Sequence, residues 1–142
     1  MMRSEARELL MQLLFQMEVQ NDYSKTLKED FFKTQPKRGS QQAYVDCVFK
    51  NFTEHLTDID QTLSSYSDNW KTNRMNKVDL AIARLSATEI LYVDSVPDSV
   101  SINEAVDLAK KFGTEDSSKF VNGLLGKVVK EKKCMIKNIS LG

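Results

Sequence analysis

Apolar residues recur every three or four positions along almost the whole chain, and this helical period restricts the fold more than any other feature. Glycine and proline, which the turns of β-proteins need, occur only five and two times in 142 residues. Such scarcity excludes a β-sandwich or a β-barrel. The sequence therefore predicts an all-α protein with six or seven helices.

Local signals divide the first half of the chain into helices. The first helix is predicted over about 4–20, and a short second helix over 24–34 has Ser24 as its N-cap. The stretch 41–66 is either one helix or two with a break near Thr57. Its apolar residues share one side of a helical wheel: Tyr44, Val45, Val48, Phe49, Phe52, Leu56, Ile59 and Leu63.

Three further helices are predicted in the second half. One covers about 76–93, and one begins at a capping box, Ser101-Ile-Asn-Glu104, and ends at Gly113 as its C′ residue. The last helix covers about 117–133, where Gly123 allows a neighbouring helix to approach closely.

The length of the chain fits one domain, residues 1–142, by the usual domain size. Within it we expect an N-terminal helical subdomain over about 1–66 and a C-terminal one over about 70–134. The polar stretch 64–77 separates them, and its tryptophan, Trp70, is expected to fill the joint.

A carboxylate, Glu89, lies in the middle of an apolar stripe formed by residues such as Ile82 and Leu85. A buried carboxylate must be paired or must accept backbone hydrogen bonds. We therefore expect Glu89 to pair with an arginine or with the start of the next helix, in a structural role.

The sequence contains no motif for catalysis, phosphate binding or metal binding. Its single histidine, His55, has no partner for nucleophilic or acid–base chemistry. Cys47 and Cys134 do not have zinc spacing and fit a reducing cytoplasm, where both would act as small hydrophobes. The apolar run Leu9–Phe15 is too short to span a membrane. These features favour a non-enzymatic binding module without a metal or cofactor.

Charge is balanced over the whole chain, with 20 basic and 20 acidic side chains. A strongly cationic nucleic-acid binder is therefore not indicated by composition. The C-terminal part is nevertheless basic, because one acid, Glu131, stands among five lysines: Lys127, Lys130, Lys132, Lys133 and Lys137. We interpret these lysines as a solvated tail.

Three segments carry a family resemblance. They read DLAIARLSATEIL over 79–91, SINEAVDLAKKFG over 101–113 and FVNGLL over 120–125. Together with ARE over 6–8 and QLLF over 12–15, they resemble the NusB family of bacterial transcription antitermination factors. The resemblance extends over nearly the whole chain.

The resemblance implies two small helical bundles packed on each other and a role without catalysis. Proteins of this kind pair with the ribosomal protein NusE, and the heterodimer binds the boxA element of nascent RNA. The complex then joins RNA polymerase and other Nus factors, and it makes transcription of ribosomal RNA operons less prone to termination.

The resemblance also implies site residues. The RNA surface would comprise Arg3, Arg7, Phe15, Lys111, Phe112, Asp116, Ser117 and Phe120, and the NusE contact would involve Asn76 and Asp79. Aromatic rings and guanidinium planes suit this role because single-stranded RNA is bound by base stacking. The first helix has few basic residues, so we expect weak RNA binding by the protein alone, with NusE supplying much of the affinity.

Two alternatives remain open. The chain could be a stand-alone RNA-binding module or a protein-interaction bundle that binds no RNA, in either case acting in ribosome biogenesis without antitermination. A homodimer, which the resemblance also allows, would cover part of the RNA surface.

Overall fold

The computed structural model describes residues 1–37, 39–67 and 75–141, with side chains up to Cys134. Trp70 and the side chain of Lys137 lie outside this description. The elements are α1 (Arg3–Gln20), α2 (Lys25–Lys33), a 3₁₀ turn (Gly39–Gln41), α3 (Gln42–Glu54), α4 (Leu56–Tyr66), α5 (Lys77–Tyr92), α6 (Asp98–Phe112) and α7 (Ser117–Leu141). Helices are the only regular elements of the described ranges besides this turn, which confirms the all-α prediction.

Side-chain caps set two helix starts at the predicted places. The hydroxyl of Ser24 accepts a hydrogen bond from the N–H of Leu27 at 3.2 Å and begins α2. Asn76 Oδ1 accepts from the N–H groups of Val78 and Asp79 and begins α5. Both caps satisfy N–H groups that have no partner inside the helix.

The stretch 41–66 forms two helices, α3 and α4, and the break lies at His55, two residues before Thr57. The imidazole of His55 stacks on the Tyr92 ring, with centroids 3.9 Å apart and an interplanar angle of 6°. His55 therefore lies at the edge of the core and packs the α3–α4 break against α5.

The predicted capping box at Ser101 is wrong. Helix α6 begins three residues earlier, at Asp98 after Pro97, and the buried Ser101 accepts a hydrogen bond from Ser86 through its carbonyl oxygen. The carboxylate of Glu104 is used elsewhere, because it accepts from the hydroxyl of Ser4.

Gly113 ends α6 as predicted, but its φ of −91° is not left-handed. The lack of room for a side chain explains why this position is a glycine. A Cβ at Gly113 would lie 2.5 Å from the Cβ of Ser117 and 2.7 Å from the carbonyl oxygen of Ala109. The prediction for Gly123 is wrong, since a Cβ there would meet no atom within 4 Å.

Helix α5 forms the centre of the fold, because every residue from Asp79 to Ile90 is buried. It packs against α1, α3, α4, α6 and α7. A helix that is buried on all sides serves as the axis of a core. The surrounding helices α1, α6 and α7 each pack against α5 and leave other residues exposed on the surface.

Candidate nucleic-acid interface

Arg7 lies in the interior, with 3% of its surface exposed. Its guanidinium donates to both carboxylate oxygens of Glu89, with Nη2 2.9 Å from Oε2, and Nη1 lies 3.6 Å from Glu104 Oε1. Burial lowers the pKa of Arg7, but the hydrogen bond and charge of Glu89 more than offset it, so the pKa is raised. The arginine predicted to pair with Glu89 is therefore Arg7. As a correction, its guanidinium is not available for stacking on RNA.

Arg3 remains on the surface at the start of α1. Its guanidinium lies 4.1 Å from the centroid of the Tyr44 ring, and its Nε donates to Gln41 Oε1. Tyr44 also lies beneath Arg7, at 5.5 Å. The sequence did not identify Gln41 and Tyr44 as partners of Arg3, because they lie in the 3₁₀ turn and in α3, about 40 positions away. Arg3 is thus exposed and oriented by the first turn of α3.

Polar contacts join α1 to α6 along their exposed edges. Ser4 Oγ donates to Glu104 Oε1 at 3.0 Å, and Lys111 Nζ donates to both oxygens of Glu8, at 2.9 and 3.2 Å. The Lys111 side chain is still 61% exposed, and its ammonium lies 5.3 Å from the Phe112 ring. Lys111, a residue of the predicted RNA surface, therefore lies beside α1. Its acidic neighbour there, Glu8, was not indicated as a site residue by the sequence.

Three aromatic side chains of the predicted RNA surface differ in exposure. Phe15 is 36% exposed on α1. Phe112 and Phe120 are half-buried and pack against the core. Within the described structure the three rings do not contact one another. Each therefore offers a separate edge or face to a ligand.

The connection between α6 and α7 is held by a hydroxyl group. Ser117 Oγ accepts a hydrogen bond from the N–H of Thr114 at 2.8 Å, and Ser117 is 1% exposed. As a second correction, Ser117 is committed to the fold and does not face a ligand. Asp116 is exposed, and only its carbonyl oxygen, which accepts from the N–H of Phe120, takes part in starting α7.

The two residues predicted for the protein partner lie elsewhere. Asn76 and Asp79 begin α5 near the end of α1, where Lys77 Nζ is 3.4 Å from Glu18 Oε1. Asp79 is 8% exposed, and its Oδ1 has no hydrogen-bond partner among the described residues. These two residues are therefore at the opposite end of α1 from Arg3.

Cys47 and Cys134 are both exposed, so the prediction that they act as small hydrophobes is wrong. The described residues include no cluster of side chains able to hold a metal ion. None of the described helices has the length and hydropathy of a membrane span.

The comparisons with known proteins agree with this architecture. A family model, described as the NusB family, matches residues 4–130. The chain is 42% identical over 132 residues to the transcription antitermination protein NusB of Finegoldia magna, covering 93% of this chain and 96% of the relative. It is 43% identical over 128 residues to that of Pseudothermotoga lettingae, covering 90% and 91%.

Solved structures show the same fold. T. maritima NusB matches with a TM-score of 0.82 and 32% identity over 92% of both chains. A chain in a crystal structure of the antitermination factors NusB and NusE in complex with dsRNA matches with a TM-score of 0.80 and 23% identity, covering 92% of this chain and 99% of that one. From the family match and the relatives above 40% identity, the chain belongs to the NusB family of transcription antitermination proteins.

Proposed function

We propose that this chain binds boxA RNA as a heterodimer with NusE and joins the elongating RNA polymerase, with other Nus factors, on ribosomal RNA operons. It acts in the cytoplasm and carries out no catalysis. The observation that carries the proposal is the outer side of α1, where Arg3 and Phe15 are exposed and the 61% exposed side chain of Lys111 reaches Glu8 from α6. The relatives named above, which are antitermination proteins, support it.

The RNA contacts of this proposal use different chemistry at each position. Arg3 and Lys111 would contact phosphates, while Phe15, Phe112 and Phe120 would stack on bases. Arg7 is a positioning residue, because it connects α1 with Glu89 on α5 and Glu104 on α6. Ser117 similarly positions the start of α7 near Asp116.

NusE would dock at the start of α5. The unsatisfied Oδ1 of Asp79 supports this placement, since a buried acceptor gains free energy when a donor reaches it. Asn76 has a structural role as the N-cap of α5. The substitution that removes the acceptor and leaves the Asn76 cap in place is Asp79→Ala. It should weaken NusE binding in calorimetry while the folded baseline in circular dichroism is unchanged.

The direct test is an RNA-binding series with boxA and scrambled RNA, with and without NusE, at two salt concentrations. We expect weak binding by the chain alone and a specific, salt-dependent complex when NusE is added. Equal binding of both RNAs would contradict a boxA function. The absence of any RNA complex would favour the alternative of a protein-interaction bundle.

A matched pair of variants on α1 tests the surface itself. Phe15→Ala should reduce boxA affinity by about 1–3 kcal/mol, the contribution of one stacked base. Val19→Ala is the control, because Val19 is 59% exposed one turn further along the same helix. If both variants bind like the original chain, Phe15 is not part of the RNA surface.

A further inference from the structure

Helix α7 has an outer face whose charged side chains are all positive. Lys119, Gly123, Gly126, Lys130 and Lys133, which we call the α7 lysine stripe, follow one another at intervals of four, three, four and three residues. This spacing keeps them on one line of a helix, over about 21 Å. The three lysines of the stripe are exposed. On the outer side of α6, by contrast, Lys111 pairs with an acid, and Asp107 is also exposed.

The lysines of the stripe differ from their neighbours on α7 in lacking partners. Lys132 pairs with Asp98 at 2.9 Å, and Lys127 donates to the carbonyl oxygen of Tyr66. Those two ammonium groups attach α7 to other elements. The remaining three, on the stripe, have no ion pair or hydrogen bond within the described structure. Their charge is therefore not used by the fold.

The chemistry of the stripe favours a nucleic-acid backbone over a protein partner. Protein interfaces depend on buried aromatic or aliphatic anchors, and the stripe consists of lysines and glycines only. A phosphate backbone needs positive charge and no apolar contact. The two glycines add no side chain to the stripe between Lys119 and Lys130, and the exposed side chain beside them, Asn122, is uncharged, so a polynucleotide can lie along the helix there.

We propose that the α7 lysine stripe binds the phosphates of RNA that continues beyond the boxA element. This inference rests on the proposed function, because the stripe begins at Lys119, next to Phe120 of the proposed RNA surface. The basic C-terminal part of the chain thereby raises the affinity for RNA without preferring any nucleotide sequence. The boxA contacts set the register of the RNA, and the stripe holds the adjoining nucleotides.

The experiment compares two RNAs on the chain together with NusE. One is the boxA element alone, and the other is boxA with ten-nucleotide oligouridine tails at both ends. We expect the tails to raise affinity about fivefold in fluorescence anisotropy near 0.1 M salt. Substitution K119Q/K130Q/K133Q should abolish that gain and leave the affinity for boxA alone within about twofold. The slope of log affinity against log salt should fall by about 2 for the tailed RNA, at about 0.7 per phosphate contact.

A control variant with the same change in charge is K25Q/K37Q/K50Q. Its three lysines are exposed: Lys25 lies on α2, Lys37 follows α2, and Lys50 lies on α3. It should retain the gain from the tails. The proposal is overturned if the tails add no affinity, if both triple variants lose the gain equally, or if the stripe variant weakens NusE binding instead. In each of these cases boxA binding by the original chain still upholds the proposed function. Failure of that chain with NusE to bind boxA RNA would overturn both.

Discussion

A buried guanidinium connects three helices of this protein. Arg7 on α1 reaches Glu89 on α5 and Glu104 on α6. A buried ion pair contributes little net free energy compared with apolar residues, but removing one partner leaves an uncompensated charge. Arg7 therefore affects any RNA surface on α1 and α6 through the fold, because it sets the relative position of the two helices.

Replacing Arg7 should be costly for stability. We expect Arg7→Met to lower the free energy of unfolding by about 3–5 kcal/mol, since Glu89 then stays buried and unpaired. The double substitution with Glu89→Leu should recover most of this loss. Urea denaturation measures both. The comparison is Lys33→Met, which removes an exposed pair with Asp30 and should change stability by less than about 0.5 kcal/mol. A loss at Arg7 no larger than at Lys33 would show that the pair has no structural role.

Glu18 makes stability depend on pH at the other end of α1. Burial opposes ionisation of this carboxylate, but the hydrogen bond from Tyr23 and the charges of Arg84 and Lys77 outweigh it and lower the pKa of Glu18. The folded pKa is thus below the unfolded value of about 4.3. The resulting stabilisation is complete above about pH 5 and is lost as the pH falls through the folded pKa.

Glu18→Gln should therefore make the acid-side loss of stability shallower. We expect the free energy of unfolding to fall less steeply between about pH 5 and pH 3 than in the original chain. At pH 7 the variant should be less stable by about 1 kcal/mol. Urea denaturation at several pH values gives the slope. Glu54→Gln, at the exposed end of α3, serves as the control, and equal slopes for all three proteins would refute the role of Glu18.

The last two helices, α6 and α7, approach each other closely at Gly113. At the end of α6, Gly113 lies so close to Ser117 that a Cβ would overlap it. The Ser117 hydroxyl accepts a hydrogen bond from the N–H of Thr114. Any side chain at Gly113 would push the start of α7 away from α6. Since Phe112 and Asp116 flank this junction, its geometry determines how the two proposed RNA residues are placed.

Two glycine substitutions should have opposite effects. Gly113→Ala should lower stability by about 1–3 kcal/mol, because its Cβ overlaps Ser117 and Ala109. Gly123→Ala should raise stability by up to about 1 kcal/mol, because it improves helix propensity in open space. Thermal denaturation would show shifts of about 3–5 °C per kcal/mol for a chain of this size. A stabilising Gly113→Ala would contradict the steric explanation.

The division into subdomains at about 1–66 and 70–134 stays a prediction. Helix α5 contacts helices that precede and follow the segment 68–74. If the two parts were independent, they would unfold in separate steps. The extensive burial of α5 instead favours a single cooperative transition.

For the whole molecule, the sequence predicted those features that depend on neighbouring residues. The apolar period located the helices, and the position of Glu89 on an apolar face indicated that it must be paired. Its partner, Arg7, is 82 positions away, and on a helical wheel of α1 Arg7 lies at the edge of the apolar stripe that contains Leu10 and Leu14. Exposure at such an edge depends on how neighbouring helices pack. The wheel therefore could not show that Arg7 is covered by α6 and Tyr44.

Acidic and basic side chains are equal in number over the whole chain, and the acid Asp116 is expected to affect RNA binding. This carboxylate is exposed beside the proposed RNA surface, where it would repel phosphates or accept a hydrogen bond from a base. If repulsion dominates, Asp116→Asn should raise boxA affinity about fivefold, the effect of roughly 1 kcal/mol between charges near a surface. Asp94→Asn, in the connection between α5 and α6, removes the same charge and should have no effect. Filter binding in the presence of NusE measures both variants. Equal or weaker binding by Asp116→Asn would reject the repulsion explanation, because removing a negative charge that repels the phosphates must raise the affinity.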